Sequence, residues 1–305
     1  MCPSSFSDIE GLKEFKYLEP KTAKEACSFL SQYQEKAKVI AGGTKLLPMM
    51  KQKEPGLQYL INLRSIPNLE YINYTTDGGL KIGALTTFFE ISRSSILDDK
   101  AKILVEAVQQ RDLGFNNTRW AYYMATLGGH LSAPANSAEI VPALIVLGAK
   151  AVIEGPKGWK TIPLEDFFVK AGGNVLQNDE ILIEIRIPDQ PAESGIVYMK
   201  GRGAADAPTF SVAVLLALDA KHVNIEDLRI VTGGITPNPS GAPQAEGMMK
   251  GKAIDNDVIE ETAQAAAQEV SEGADPETTE SVKELIEEAI RQAVDRAIGD
   301  FALGY

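Results

Sequence analysis

Two glycine pairs are the residues of this 305-residue chain whose type and spacing point most directly to chemistry. Gly42 and Gly43 follow an apolar stretch, and Gly128 and Gly129 recur in a similar context further along. Glycine has no Cβ and readily reaches positive φ, so the N–H groups beside such a pair can approach and bind a phosphate. Each pair precedes a segment that can offer helical N–H groups to an anion. Together the two pairs are candidates for cradling the pyrophosphate of a dinucleotide.

The glycine pairs alone do not identify a ligand. The sequence AGGT is neither G-x-G-x-x-G nor a Walker loop, and a glycine pair in a turn is more often structural than ligand-binding. The chain has few of the residues that other kinds of site require. Two histidines, His130 and His222, are too few for a histidine metal site or a Ser–His–Asp triad, and two cysteines cannot ligate an iron–sulfur cluster. We therefore predict neither a metal site nor a histidine-based catalytic triad in this chain.

Charge and composition narrow the class of partners. The chain has 30 Lys and Arg against 42 Asp and Glu, a net charge of −12, and no basic cluster, so nucleic acid is an unfavoured partner. Residues 251–305 hold 14 acidic and four basic residues, a pattern typical of the solvated face of surface helices. Because no stretch approaches the length of a membrane span and the N-terminus lacks a signal pattern, we expect a cytoplasmic protein.

Apolar periodicity places the glycine pairs among alternating strands and helices. The elements predicted in chain order are a helix over 21–35, a strand over 38–41, a helix or turn from residue 46, strands over 57–64, 69–75 and 79–87, helical periodicity over 88–110, a glycine turn, helix and strand within 126–153, and a strand over 180–188. The acidic and proline-containing stretch 189–195 is a predicted linker and marks the expected domain boundary. Beyond it, the pattern predicts a short sheet followed by helices at about 257–271 and 279–298. The spacing of the apolar residues in the last helix predicts one buried face, formed by Val282, Leu285, Ile286, Ala289, Ile290, Ala293 and Val294.

Several segments, in this order, carry a family resemblance. They are VIAGGTKLLPMM (39–50), ATLGGHLSAPANSAEIVPALIVLGA (125–149), EILIEIRIP (180–188), YMKGRGAADAPTFSVAVLLAL (198–218), GGITPNP (233–239) and AEGMMKGK (245–252). Together they resemble the FAD-binding medium subunit of the molybdenum hydroxylases, the family of xanthine dehydrogenase, carbon monoxide dehydrogenase and hydroxybenzoyl-CoA reductase. The resemblance covers nearly the whole chain.

The resemblance implies an α+β fold. Residues 1–190 are expected to form an FAD-binding (PCMH-type) domain of the kind found in vanillyl-alcohol oxidase, built from two small α/β subdomains. Residues 195–305 are expected to form a C-terminal domain like that of the carbon monoxide dehydrogenase flavoprotein, with a three-stranded sheet and helices behind it.

The resemblance also implies which residues bind FAD. The first glycine segment is expected to wrap the pyrophosphate and the second to close on it. Glu139, thirteen residues after Thr126, stands where the family usually has an aspartate, and His130 stands where it commonly has an asparagine. The implied FAD-binding residues are Val39, Ile40, Ala41, Gly42, Gly43, Thr44, Lys45, Leu46, Thr126, Leu127, Gly128, Gly129, His130, Glu139, Leu182 and Lys200.

The function implied by the resemblance is that of an electron-transfer subunit. Substrate chemistry is expected at a molybdenum cofactor in a large partner subunit, with [2Fe–2S] clusters in a small partner, in a dimer of heterotrimers. FAD would exchange electrons with an external acceptor, and NAD, ferredoxin and quinone stay open. Two alternatives also stay open: a stand-alone FAD-dependent oxidase or dehydrogenase, and a flavin-free scaffold subunit.

Overall fold

A computed structural model describes residues 15–51, 57–110, 123–133, 140–169, 173–202 and 209–302 of the chain. Among the predicted site residues, Glu139 lies outside these ranges. The described part has the mixed helices and sheets that were predicted. Within it, no helix is both long and apolar enough to cross a bilayer, and no group of acidic, histidine and cysteine side chains is arranged to hold a metal ion.

The N-terminal part is a small parallel sheet with a helix packed on it. Its elements are β1 (Lys16–Leu18), α1 (Ala23–Tyr33), β2 (Ala37–Ile40), α2 (Leu46–Lys51) and β3 (Tyr59–Asn62). The strand order is β1–β3–β2. Helix α1 begins as predicted, because the Thr22 side chain accepts the Glu25 N–H at 3.1 Å. Ala26, Cys27 and Leu30 are its buried residues.

The second part is a five-stranded antiparallel sheet with helices on one face. Its strands are β4 (Ile72–Thr75), β5 (Gly79–Gly83), β6 (Lys150–Gly155), β7 (Gly158–Pro163) and β10 (Ile181–Ile187), and a separate two-stranded pair consists of β8 (Phe168–Val169) and β9 (Gly173–Asn174). The order in the larger sheet is β4–β5–β10–β6–β7. Its helices are α3 (Phe88–Arg93), α4 (Ser95–Lys100), α5 (Lys102–Gln109), α6 (Leu127–Leu131) and α7 (Ile140–Val146).

The helical stretch predicted over 88–110 is divided into the three helices α3, α4 and α5. The first break falls at Ser94, whose extended backbone (ψ 116°) ends α3 and whose hydroxyl accepts the Leu97 N–H at the start of α4. The second falls at Ala101, which has φ −155° and is also non-helical. The apolar spacing continues through both breaks, so periodicity alone did not reveal them.

The C-terminal part is a four-stranded antiparallel sheet covered by helices. Its elements are β11 (Ser194–Arg202), β12 (Thr209–Leu218), β13 (Ile225–Gly233), β14 (Ser240–Gly241), α8 (Pro243–Met249), α9 (Asn256–Val270) and α10 (Pro276–Ala302). The expected sheet of three strands gains the short β14, which pairs with β13. The predicted buried face of α10 forms, with Val282, Ile286, Ala289, Ile290 and Ala293 fully buried.

Strand β12 is buried on both faces and joins two hydrophobic cores. Ala213, Leu215 and Ala217 pack with the core of the five-stranded sheet, α5 and α7, whereas the alternate residues Val212 and Val214 pack with α9 and α10. The layers therefore run from the five-stranded sheet through α5 and α7 to the four-stranded sheet and then to α9 and α10. The predicted linker over 189–195 lies between β10 and β11 except for its last two residues, which begin β11, and the domain limits stay a prediction.

Candidate functional site

A pocket of about 240 Å³ lies where the parallel sheet meets the five-stranded sheet. Most of its wall is apolar, and it is formed by both glycine segments. The predicted site residues that line it are Val39, Ile40, Ala41, Gly42, Gly43, Thr44, Lys45, Leu46, Thr126, Gly128, Gly129 and Leu182. The structure thus brings together twelve residues that were assigned to one site and that come from three segments far apart in sequence.

The first glycine segment offers the pocket a row of backbone donors. Gly43 has φ +73°, so the chain reverses there between β2 and α2. No described residue accepts the N–H groups of residues 42–45, although Gly43 and Lys45 do supply carbonyls to α2. Successive unpaired N–H groups around a residue of positive φ form a concave site for an anion.

Two lysines add positive charge at the same place. Lys38 and Lys45 line the pocket, are exposed, and form no ion pair with a described residue. Glu180, the acidic residue in the described wall, is engaged elsewhere: its carboxylate accepts Lys160 Nζ at 2.7 Å and the Gln177 N–H at 3.0 Å. The first segment therefore favours a negatively charged group.

The second glycine segment differs from the expected turn. Gly128 and Gly129 lie in the single-turn helix α6, which Thr126 caps by accepting the Gly129 N–H at 3.2 Å. The N–H groups of Leu127 and Gly128 donate to Thr86 and Ala84 carbonyls at 2.9 and 2.7 Å, and that of His130 donates to the Thr126 carbonyl. Since these four N–H groups have protein acceptors, this segment contributes shape rather than the free donors that we expected of it.

Three of the four glycines in the two pairs are fixed by close packing or by conformation. A Cβ on Gly42 would lie 1.7 Å from the Met124 carbonyl oxygen, and one on Gly128 would lie 2.7 Å from Ala84 Cβ. Gly43 is constrained by its positive φ. A Cβ on Gly129 meets Thr126 Oγ1 at 2.8 Å and then only Ala41 at 3.9 Å, so Gly129 is the exposed glycine that faces the pocket.

Three predicted residues that the structure describes do not reach this pocket. Leu127 and His130 are buried in the core, where the imidazole packs edge-on against Phe88 with ring centroids 5.1 Å apart. Lys200 lies on β11 and donates from Nζ to the Gln110 carbonyl at 3.0 Å, beside a separate open cavity. Placement of these three residues at FAD stays a prediction, as does that of Glu139.

Eleven further residues line the pocket and were not predicted. They are Lys38, Met49, Leu63, Leu69, Ala84, Leu85, Ser132, Ala133, Leu176, Glu180 and Ile181. Six of them lie within three residues of a predicted site residue, so a wider margin around each motif would have found them: Lys38, Met49, Ser132, Ala133, Glu180 and Ile181. The other five are brought in by tertiary packing, and nothing in their local sequence separates them from ordinary core residues: Leu63, Leu69, Ala84, Leu85 and Leu176.

Two family descriptions match the sequence. Residues 13–190 match the FAD binding domain in molybdopterin dehydrogenase, and residues 197–297 match the CO dehydrogenase flavoprotein C-terminal domain. Among curated proteins, the chain is 30% identical to the carbon monoxide dehydrogenase medium chain of Hydrogenophaga pseudoflava, over 83% of this chain and 85% of that protein. It is 28% identical to the xanthine dehydrogenase FAD-binding subunit of Escherichia coli O157:H7, over 77% of this chain and 79% of that protein.

Two solved structures that are similar to this chain belong to the same family of proteins. A chain of carbon monoxide dehydrogenase from Hydrogenophaga pseudoflava superposes with a TM-score of 0.81 at 29% identity, covering 93% of this chain and 99% of that chain. A chain of CO dehydrogenase from Oligotropha carboxidovorans gives a TM-score of 0.79 at 26% identity, covering 95% and 99%. The similarity therefore extends over both the pocket-bearing part and the C-terminal sheet and helices.

Proposed function

The chain belongs to the FAD-binding medium subunits of the molybdenum hydroxylase family, and from this premise we propose that it carries electrons between [2Fe–2S] clusters of a partner subunit and an external acceptor. The predicted family, the fold and the assignment as an FAD-binding oxidoreductase subunit are confirmed by the matches over both domains. The direction of electron flow, the partners and the acceptor are the proposed part.

The observation that carries the proposal is the fit of the first glycine segment to a pyrophosphate. Four consecutive residues whose N–H groups have no acceptor among the described residues line the same pocket as two lysines that form no ion pair with a described residue. Phosphate oxygens accept hydrogen bonds and carry negative charge, so they satisfy both features at once. The exposed Gly129 opposite leaves room that a side chain would fill.

The residues of this chain bind and orient the cofactor, and no described residue need act on the organic substrate. Bound FAD supplies the ability to accept and release electrons one or two at a time. Residues 42–45 would hold the pyrophosphate, and Lys38 and Lys45 would offset its charge. Leu63, Leu85 and Leu182 would cover the apolar parts of the ligand and exclude water from them.

The proposed partners are a large subunit with a molybdenum cofactor and a small subunit with [2Fe–2S] clusters, in a dimer of heterotrimers in the cytoplasm. Such partners are suggested by the relatives, among them two named medium chains. The external acceptor would be NAD, ferredoxin or quinone.

The test is the visible absorption spectrum of the chain purified natively with whatever accompanies it, followed by identification of the released flavin. Flavin bands together with iron–sulfur absorption would support the proposal. Flavin without an iron–sulfur partner would favour a stand-alone oxidase or dehydrogenase, and a complex without flavin would favour the scaffold. The chain expressed alone and supplied with FAD is the control that separates flavin binding from assembly.

A further inference from the structure

Three cations form a row across the outer face of the five-stranded sheet. Arg186 on β10 lies directly opposite Lys81 on β5 and Lys150 on β6. The row continues to Asn73 on β4 and Pro163 on β7, so it contains no acidic residue. These positions alternate with buried ones such as Ile185, which belongs to the core on the other face.

The row of like charges lowers the stability of the isolated chain. Like charges that lie directly opposite on neighbouring strands destabilise a sheet. Arg186 is offset by Glu184, which accepts its Nε–H and also the hydroxyl proton of Tyr71. Lys81 and Lys150 form no ion pair with any residue that the structure describes. Two of the three charges are therefore not offset by any described residue.

An exposed aromatic side chain lies beside the row. Trp159 on the edge strand β7 is 63% exposed, the largest exposed fraction among the large hydrophobic residues that the structure describes. The Arg186 guanidinium lies over its ring, 5.6 Å from the centroid. Tryptophan and arginine are enriched at the centres of protein interfaces, where a rigid apolar surface and a planar cation both bind well.

Protection of a sheet edge does not explain this arrangement. Lysines on an edge strand prevent unwanted strand pairing. Lys81 and Lys150 lie instead on β5 and β6, which are paired on both sides. Their side chains project from the face of the sheet and do not shield the outer edge of β7.

We propose that this face, defined by Lys81, Arg186, Lys150 and Trp159, docks an acidic surface of a partner protein. The complementary groups would be carboxylates opposite the row and an apolar side chain on Trp159. The proposal rests on the proposed membership in a multi-subunit complex and adds which surface meets a partner.

A second copy of this chain fits the face less well than a different protein. The acidic segment of residues 251–305 includes α9 and α10, which form the layer at the opposite end of the molecule. A contact between opposite ends joins copies head to tail, which gives open filaments unless the rotation closes a ring. The face is therefore assigned to another chain, and self-association is an outcome that the experiment can detect.

The experiment uses the native complex and a carbodiimide, which joins lysine amines to carboxylates in direct contact. Peptide mapping should show Lys81 or Lys150 linked to Asp or Glu of a different chain. Both amines should also react more slowly with an acylating reagent in the complex than in the isolated chain. Three results would each overturn the proposal. They are links to residues 257–288 of another copy, equal reactivity of the amines in both samples, and purification of the chain without a partner.

Variants give a second readout. The double variant K81E/K150E and the single variant W159A should each weaken reassociation with the other chains by at least about tenfold, with the charge effect shrinking at high salt. K221E makes the charge change of one such substitution at an exposed turn between β12 and β13 and should reassociate like wild type. Flavin content is measured in every sample. Wild type without flavin would contradict the proposed function, whereas flavin with unimpaired reassociation of the variants would contradict only the docking proposal.

Discussion

Substitution of the glycines distinguishes packing from cofactor binding at the pocket. In Gly42→Ala, the new Cβ would lie 1.7 Å from the carbonyl oxygen of Met124 and 2.7 Å from its carbonyl carbon. Both are backbone atoms, so no side-chain rotation relieves the contact and the two segments must separate. We expect the free energy of unfolding to fall by about 3 kcal/mol, which lowers Tm by roughly 5 °C in a chain of 305 residues.

Gly129→Leu should impair cofactor binding more than stability. Its Cβ displaces the Thr126 hydroxyl, 2.8 Å away, so the cost to stability is about 1 kcal/mol, the value of one helix cap. The rest of the side chain extends into the pocket. We therefore expect FAD affinity to fall by at least tenfold, about 1.4 kcal/mol, in a chain that stays folded.

The assay is thermal unfolding by circular dichroism, with and without added FAD, combined with the ratio of bound flavin to protein. Gly247→Ala is the matched control, because nothing lies within 4 Å of its Cβ and alanine favours helix α8 by about 0.5–1 kcal/mol. A Gly42→Ala chain with the wild-type Tm would refute the packing of the two segments. A Gly129→Leu chain that binds FAD like wild type would refute the placement of the cofactor.

Further predictions concern two buried groups and one helix cap. Burial, with Glu154 and Asp179 nearby, raises the pKa of the Cys27 thiol to about 12, so peptide mapping should find Cys27 unalkylated at neutral pH until the chain is denatured. Because the folded chain keeps that proton longer than the unfolded chain, stability should fall as pH rises from about 9 towards 12. Burial also raises the pKa of Glu246, whose carboxylate accepts the Ile230 N–H at 2.9 Å. Denaturant titrations should therefore find Glu246→Gln at least as stable as wild type at neutral pH and Glu246→Ala less stable by about 1–3 kcal/mol. Thr87→Ala removes the capping box with Glu90 and should cost about 1 kcal/mol in urea unfolding, whereas Thr87→Ser should not.

The sequence was most informative where local pattern and motif agreed. The first glycine segment was placed between a strand and a helix, and β2 and α2 flank it as expected. The buried face of α10 followed from 3.6-residue spacing alone. In both cases the residues that determine the structure are neighbours in sequence, so their pattern was sufficient.

It was least informative where the structure depends on contacts between distant segments. The glycines of α6 read as a turn because the hydrogen bonds from the Leu127 and Gly128 N–H groups to the Thr86 and Ala84 carbonyls are set by tertiary structure. The burial of His130 against Phe88 has the same cause. The burial of β12 on both faces was not predicted, although its apolar run VAVLLAL (212–218) is typical of a strand that is covered on both sides.

The position of the pocket links cofactor binding to the assembly of the fold. Residues 42–46 follow β2 of the parallel sheet, whereas Ala84, Gly129 and Leu182 belong to the part built on the five-stranded sheet. Gly42 already contacts the chain at Met124 directly, so the two parts meet at the site where the ligand is expected. A ligand that touches both binds only when they are in place, and its binding free energy then adds to the stability of the assembled state. FAD should accordingly raise the stability of the contact between the two parts more than that of the distant layer formed by α9 and α10.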